Sequence, residues 1–297
     1  MTAPHHPGHT PAGILLHLAG PLQSWGTHSA YNQRDTARFP TRSGIIGLLA
    51  ASLGRRRGEP LDDLARLSLT TRTDRPGVLL RDLHTVGGGL PAKGTVTTAE
   101  GKKRPQAQAT LLSHRSYLAD AAFTAALTSN DTALLHECTE ALRQPFWPPY
   151  LGRRSCPPEG PLLIGLLPDP LHHLVRLPLA RAGTPPRTPA TEGNPPGRQI
   201  PKNAVPVDFH SDAPLHHLPI PHADSDPDHL DGSTPVGEVT DDPLDLSPRR
   251  RTYRARPVYR RTVHLPDTPH GGLGAAYLTA LHTYLNSTNS ELQGGAA

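Results

Sequence analysis

Hydrophobic residues fall into short, well-separated groups along this chain, and each group has a readable period. Residues 13–19 form an apolar run closed by Gly20 and Pro21, long enough for a buried strand and too short for a helix. After a polar loop, Thr41 and Ser43 offer capping oxygens, and Ile45, Ile46, Leu48, Leu49 and Leu53 follow at helical spacing until Gly54. Residues 60–67 predict a second, shorter helix with Pro at its first turn and Leu61, Leu64 and Leu67 on one face. Residues 69–74 and 78–83 read as strands joined by a Pro-Gly turn. Residues 86–113 are rich in Gly, Lys and Thr and nearly without apolar periodicity, which places them outside the core as a long loop or extended hairpin. Strand-like composition returns over 116–127, and an amphipathic helix capped by Asp131 follows to Leu142. Residues 161–167 and 257–265 are two further strands, and His282 and Tyr284 fall on a final helix.

Strand, helix, strand, strand, helix, strand is the order of an α+β domain of the ferredoxin-like (RRM-like) kind. In that arrangement helices cover one face of an antiparallel sheet and the other face is left to meet RNA. The expected organisation is a ferredoxin-like RNA-binding domain over 12–180 with a long protruding hairpin over 86–113. A Pro-, His- and Asp-rich insertion over 181–248 comes next, and a small β-rich C-terminal portion over 249–290 completes the fold.

Composition changes this picture mainly between 181 and 248. That segment holds 14 prolines in 68 residues and few aromatic residues, so it is expected to be largely disordered. It carries four basic and eleven acidic residues, about −7, so a chain with a net charge of +4 has about +11 elsewhere, a bias that suits a polyanionic partner. The same number describes an Arg-rich solvated surface. No Lys or Arg occurs over 203–248, after which seven arginines arrive within 13 residues, starting at Arg249. An acidic tether beside a basic stripe can shield it until RNA displaces it. No run of 18 apolar residues occurs and the first ten residues lack a signal-peptide pattern, which predicts a cytoplasmic protein without a membrane partner. Cys138 and Cys156 are too few for a disulfide framework or a metal knuckle and read as reduced thiols. His210, His216, His217, His222 and His229 alternate with Asp208, Asp212, Asp224, Asp226 and Asp228, but without fixed ligand spacing, so no metal and no cofactor is expected.

Several groups have the chemistry of nucleic-acid contacts. Thr41, Arg42, Ser43 and Gly44 lead into a helix N-terminus, where free N–H groups and the helix dipole favour a phosphate, with Arg38 and Arg42 as countercharge. An ordinary capped helix with surface arginines fits the same residues. Gln23 and Trp25 follow the first strand and can meet a splayed base through an amide and an indole, although Trp25 serves equally as a core anchor. Lys93, Lys102, Lys103, Arg104 and Arg115 lie in or beside the long excursion, where flexible cations give sequence-independent phosphate contacts or simply a solvated loop. Arg153 and Arg154 sit on a loop stiffened by Pro148, Pro149, Pro157 and Pro158, which lowers the entropy lost on binding an anion. His84, with Tyr117 and Lys102, is the one combination with catalytic potential, since a His can deprotonate a 2′-hydroxyl. A His bonded to the backbone or to RNA is the plainer reading.

Five segments in order, spanning 14–165, carry a family resemblance. They are Leu18-Ala-Gly-Pro-Leu-Gln-Ser-Trp-Gly26, Arg38-Phe-Pro-Thr-Arg-Ser-Gly-Ile-Ile-Gly-Leu-Leu49, Leu80-Arg-Asp-Leu-His-Thr-Val-Gly87, Ser116-Tyr-Leu-Ala-Asp-Ala-Ala-Phe123 and Pro149-Tyr-Leu-Gly-Arg-Arg-Ser-Cys-Pro157. Together they resemble the CasD family, the handle-binding subunit of type I-E CRISPR Cascade. The resemblance implies a non-catalytic subunit that grips the five-prime handle of the crRNA and joins the large and backbone subunits. It also implies that 86–113 is a thumb-like hairpin and that target DNA is met only through the complex, where base pairing by the guide chooses it. The 181–248 segment departs from the family, whose connection there is shorter. Two rivals remain: a metal-independent endoribonuclease processing precursor crRNA through His84, and a generic single-stranded RNA-binding module.

Overall fold

A computed structural model of the chain describes residues 12–27, 32–87, 91–95, 97–98, 100–182, 205–220, 231–247, 251–265 and 270–294. In chain order the elements are β1 (Ala12–Ala19), β2 (Leu22–Gln23), β3 (Gln33–Arg34), α1 (Arg42–Ser52), β4 (Ser68–Arg75), β5 (Val78–Val86), β6 (Leu111–Ala119), β7 (Ala122–Thr128), α2 (Thr132–Arg143), β8 (Leu163–Pro168), α3 (Pro170–Arg176), β9 (Val205–Ser211), β10 (Gly237–Asp245), β11 (Thr252–Leu265) and α4 (Ala275–Gly294). The protein is therefore α+β. Its main sheet has seven strands in the order β10-β11-β9-β4-β7-β1-β8, and β2, β3, β5 and β6 form a second, smaller sheet.

β1 lies between β7 and β8 and is apolar on both faces, the signature of a strand covered from two sides. Ile14, Leu16 and Leu18 pack with Ile45, Ile46 and Leu49 of α1 and Leu134, Leu135 and Cys138 of α2. Leu15 and Ala19 point the other way, into a second core with Leu174 and Val175 of α3, Phe209, Val263, and Tyr277 and Leu281 of α4. The expectation that one sheet face stays open for RNA is thereby corrected, since helices cover both faces. A continuous apolar run in place of an alternating one already contained that answer.

The predicted helix over 41–53 forms as α1, with Thr41 as its N-cap residue and Leu53 as its C-cap. Gly54 ends it at φ +75°, a left-handed conformation that favours glycine. Asp131 caps α2 by accepting the Leu134 N–H at 3.0 Å. Elsewhere the local readings differ from the structure. Residues 60–67 hold only a 3₁₀ turn, Leu64–Arg66. The stretch 116–127 is the end of β6 and most of β7, which reverse at Asp120 with φ +57°.

The largest difference concerns the described parts of 181–248, mainly 205–220 and 231–247, while 183–204, 221–230 and 248 lie outside the described residues. Val205, Val207, Phe209 and Ser211 of β9 alternate inward, and the strand pairs with both β4 and β11 inside the main sheet. β10 pairs with β11 at the sheet edge, where its Pro243 is tolerated. Proline content misled here because a period-two pattern of only seven residues is enough for a strand.

β5 and β6 form an antiparallel ribbon in register from Val78 opposite Ala119 to Val86 opposite Leu111. β5 is exposed along nearly its whole length, including Val78, Leu79, Leu80 and Leu83. Beyond the ribbon, the excursion carries a small bridge between Thr97 and Lys103, turning at Gly101.

Candidate nucleic-acid interface

A cleft of about 1770 Å³ opens between the outer face of α1, the loop 147–157, the small sheet and the β10–β11 hairpin. Its floor is made of small residues on α1: Ser43, Gly44, Gly47 and Ala51. A Cβ placed on Gly47 would meet nothing within 4 Å, so the helix backbone is approachable there. Its walls are basic. Arg34, Arg55, Arg56, Arg57, Arg115, Arg153, Arg154 and Arg251 line the cleft, against Glu59 as the acidic residue of the lining.

These arginines are not equivalent. Arg55 makes a two-pronged pair with Asp63, which holds that carboxyl down at about 2 through the hydrogen bond. Arg153 is pinned by carbonyls: Nη1 donates to Ser116 O at 2.9 Å, Nη2 donates to Arg34 O at 3.0 Å and Asp35 O at 3.2 Å, and its guanidinium lies 4.7 Å over the Tyr117 ring. Carbonyls orient the group without cancelling its charge. Arg34, Arg56, Arg57, Arg115, Arg154 and Arg251 have no carboxylate partner among the described residues. A cleft floored by small residues and ringed by such cations attracts a polyanion.

The loop bearing Arg153 and Arg154 is locked to the backbone just beyond β2. Ser24 N donates to Leu151 O at 3.0 Å, and Leu151 N donates to Cys156 O at 2.7 Å. Gly152 has φ +87°, and a Cβ there would fall 1.7 Å from Ser24 O. Any side chain at 152 would push the arginines away from the cleft.

Comparisons with known proteins agree with one another. A family model described as CRISPR-associated protein (Cas_Cas5) matches residues 13–259. The chain belongs to the Cas5 family. Within it, the chain is 39% identical over 160 residues to the CRISPR system Cascade subunit CasD of Escherichia coli (strain K12), covering 51% of this chain and 70% of that protein. A chain of a solved CRISPR RNA-guided surveillance complex superposes with a TM-score of 0.72 at 38% identity, covering 92% of this chain and 99% of that one. A solved Cas protein superposes with a TM-score of 0.54 at 30% identity, over 87% and 98% of the two chains. The resemblance to CasD carried by the five segments is thus borne out.

In this Cas5-family chain the structure sorts the sequence-predicted site residues into a cleft group, a buried group and a ribbon group, with Arg38 in none of them. Thr41, Ser43, Gly44, Arg115, Arg153 and Arg154 line the cleft. Gln23, Trp25 and Arg42 are instead buried. Gln23 Nε2 donates to Leu18 O at 2.9 Å and Ala121 O at 2.8 Å, and its Oε1 accepts the Trp25 indole N–H at 3.0 Å. Trp25 is therefore the core anchor, and Gly44 is small because a Cβ there would strike the Trp25 ring at 2.7 Å. Arg42 donates to Asp212 at 2.5 Å, to Asp242 at 2.9 Å and to the carbonyls of Ala65 and Leu67, so it is internal countercharge and not a phosphate ligand. Arg38 is exposed but lies outside the cleft lining.

His84, Lys102, Lys103 and Arg104 belong to the ribbon and its tip. Lys103 Nζ donates to Thr95 O at 2.9 Å, while the Lys102 ammonium stays exposed, 4.0 Å from Glu100. His84 Nδ1 lies 3.4 Å from Asp82, opposite Ser113, four residues along β6 from Tyr117. At about 3.3 Å per residue that separates His84 from Tyr117 by about 13 Å, and Tyr117 is buried beneath Arg153, so the catalytic trio is not assembled. Of the His and Asp residues weighed as metal ligands, His210 stacks on Phe39, Asp208 pairs with Arg260 and Asp212 with Arg42. His222, His229, Asp224, Asp226 and Asp228 lie outside the described residues, as do Arg249 and Arg250. Within the described residues the acidic stretch meets the basic stripe through Asp241 with Arg256 and Asp242 with Arg254, as cross-strand pairs of the sheet.

Sequence reasoning missed Arg34, the Arg55-Arg56-Arg57 run, Trp147 and Tyr253 in the lining, whereas Arg251 belongs to the basic stripe already noted in the sequence. Three arginines directly after the helix-ending Gly54 are a visible signal, hidden by the more obvious role of that stretch as the stop of a helix.

Proposed function

We propose that this chain is a non-catalytic, crRNA-binding subunit of a CRISPR surveillance complex of the type I-E Cascade kind, holding the five-prime handle of the guide in the arginine-lined cleft. The observation that carries this reading is the set of six arginines that have no carboxylate partner among the described residues, around the small-residue face of α1. Such a surface fits a single strand whose phosphates are met by guanidinium groups and whose backbone lies close to the helix. Likeness to the Cascade subunit CasD and to a chain of an RNA-guided surveillance complex supports the assembly. The exposed apolar residues Val78, Leu80, Leu83 and Leu112 of the ribbon support its use as the contact to neighbouring large or backbone subunits. A ferredoxin-like core is supported by the antiparallel order β4-β7-β1-β8 with α1 and α2 on one face. Phosphate contacts and shape recognition need no cofactor, target DNA is met through the complex, and the setting is the cytoplasm.

The deciding experiment is binding and cleavage of labelled guide RNA with an intact or scrambled five-prime handle, using the wild type and a His84→Ala variant without metal. Handle-dependent binding without cleavage is expected. Cleavage that disappears in His84→Ala would make the protein a processing endoribonuclease, and indifference to the handle sequence would make it a generic single-strand binder.

A further inference from the structure

Opposite the small-residue face of α1, the cleft presents an indole. Trp147 lines the cleft and is 37% exposed, the only exposed one of the chain's two tryptophans, since Trp25 is wholly buried. Phe146 beside it is 69% exposed, so the two rings make one aromatic surface at the cleft, and aromatic faces beside a basic groove are where bases of single-stranded nucleic acids stack. The indole ring is held. Phe146 meets it edge-on at 4.9 Å with an interplanar angle of 85°. Phe146 is anchored in turn, its N–H donating to Ser52 O at 2.9 Å and its ring lying 2.8 Å from where a Cβ on Gly54 would fall. Pro148 and Pro149 come directly after it and restrict the backbone on the other side. An indole held in orientation but open to a cleft ringed by arginines, six of them without a carboxylate partner among the described residues, is a stacking surface whose ordering cost is already met by the fold.

We infer that Trp147 is a stacking platform for one unpaired nucleobase of a single-stranded RNA lying in the cleft. The inference rests on the cleft reading given above and adds to it the site of a base. A flat indole face is blind to base identity, whereas Arg56, Arg57 and Arg154 hold the flanking phosphates. A duplex does not satisfy this geometry, because its bases are already stacked.

Two tryptophans, one buried, make the test optical. The full-length protein is titrated with a synthetic single-stranded RNA bearing the handle sequence, and the emission of Trp147 is taken as the difference between wild type and Trp147→Phe. Quenching that saturates with binding is expected, and it is relieved when one single nucleotide is made abasic. Trp147→Ala is expected to weaken binding by roughly 5- to 100-fold while Trp147→Phe stays within about threefold. Unchanged affinity in Trp147→Ala with no RNA-dependent quenching overturns the platform while leaving the cleft reading intact. Quenching by neighbouring Cascade subunits in the absence of RNA also overturns it, making this aromatic pair a protein contact. Failure of the cleft reading itself has a different signature, in which Arg56→Ala, Arg57→Ala and Arg154→Ala combined leave RNA affinity unchanged.

Discussion

Asp241 Oδ2 accepts the backbone N–H of Arg42 at 2.7 Å, so that a carboxylate from the edge strand β10 occupies the N-terminus of α1. The same carboxylate receives Arg256 Nη2 at 3.0 Å, and Asp242 next to it receives the Arg42 side chain. Thr41 provides no side-chain cap there, and the role falls to a residue about 200 positions away in sequence. A helix N-terminus that attracts anions is thus satisfied from within the protein, and the proposed path for RNA accordingly follows the flank of α1 and not its tip.

Asp241→Asn should therefore lower stability by about 3–5 kcal/mol, since it removes one member of a buried charge network and leaves Arg256 without a full countercharge. Urea unfolding checks this through the transition midpoint. RNA affinity of the folded variant should not rise; a marked rise would show that Asp241 competes with a phosphate for the helix N-terminus.

Both cysteines should be inert in the native protein. Burial pushes the Cys138 thiol up to about 12 and raises that of Cys156, and neither side chain is exposed. A thiol reagent should label both only at the rate of unfolding, and rapid labelling of either at neutral pH would contradict the packing of α2 and of the 147–157 loop.

Legibility in the sequence followed how local the determining interaction was. α1 and α2 were readable because helical spacing, Gly54 and the Asp131 cap all lie within the elements they define. β9 and β10 were not, because β9 is a strand only by pairing with β4 and β11, while the proline and charge content of its surroundings pointed to disorder. The site divided in the same way. Arg153 and Arg154 stand on the Pro-stiffened loop that the sequence shows and line the cleft, and Trp25 takes the core-anchor role that was one of its two readings, whereas the burial of Gln23 and Arg42 was not legible because their partners, Ala121 and the Asp212 and Asp242 carboxylates, are brought to them by the fold.

Acid should destabilise the protein through two neutral histidines. Burial lowers His17 to about 4 against the opposing pull of Asp74, and burial likewise lowers His210 to about 4. Below the unfolded value near 6.5 the unfolded chain takes up protons that the folded chain refuses, so stability is full above about pH 6.5 and falls as pH drops. Each histidine contributes a slope of about 1.4 kcal/mol per pH unit, which ends near the folded value of about 4. His17→Gln should flatten the urea-midpoint profile between those limits by about one proton, and an unchanged slope would mean that His17 is already charged in the fold.

Arg153 and Arg154, adjacent in sequence, should behave differently because only one of them holds the fold. Arg153 donates to three backbone carbonyls and covers Tyr117, so Arg153→Ala should lower the unfolding midpoint as well as weaken RNA binding. Arg154 is exposed and has no partner among the described residues, so its energy is available only to a ligand. Arg154→Ala should leave the midpoint within about 0.5 kcal/mol of wild type. If its guanidinium meets one phosphate of a single strand, the slope of log K against log salt should become shallower by about 0.7. The same titration with scrambled RNA should show the same loss of slope, because a phosphate contact reads no sequence. A loss confined to the handle sequence would instead mean that Arg154 contacts a base edge, and the cleft would then read sequence through its arginines as well as hold the backbone.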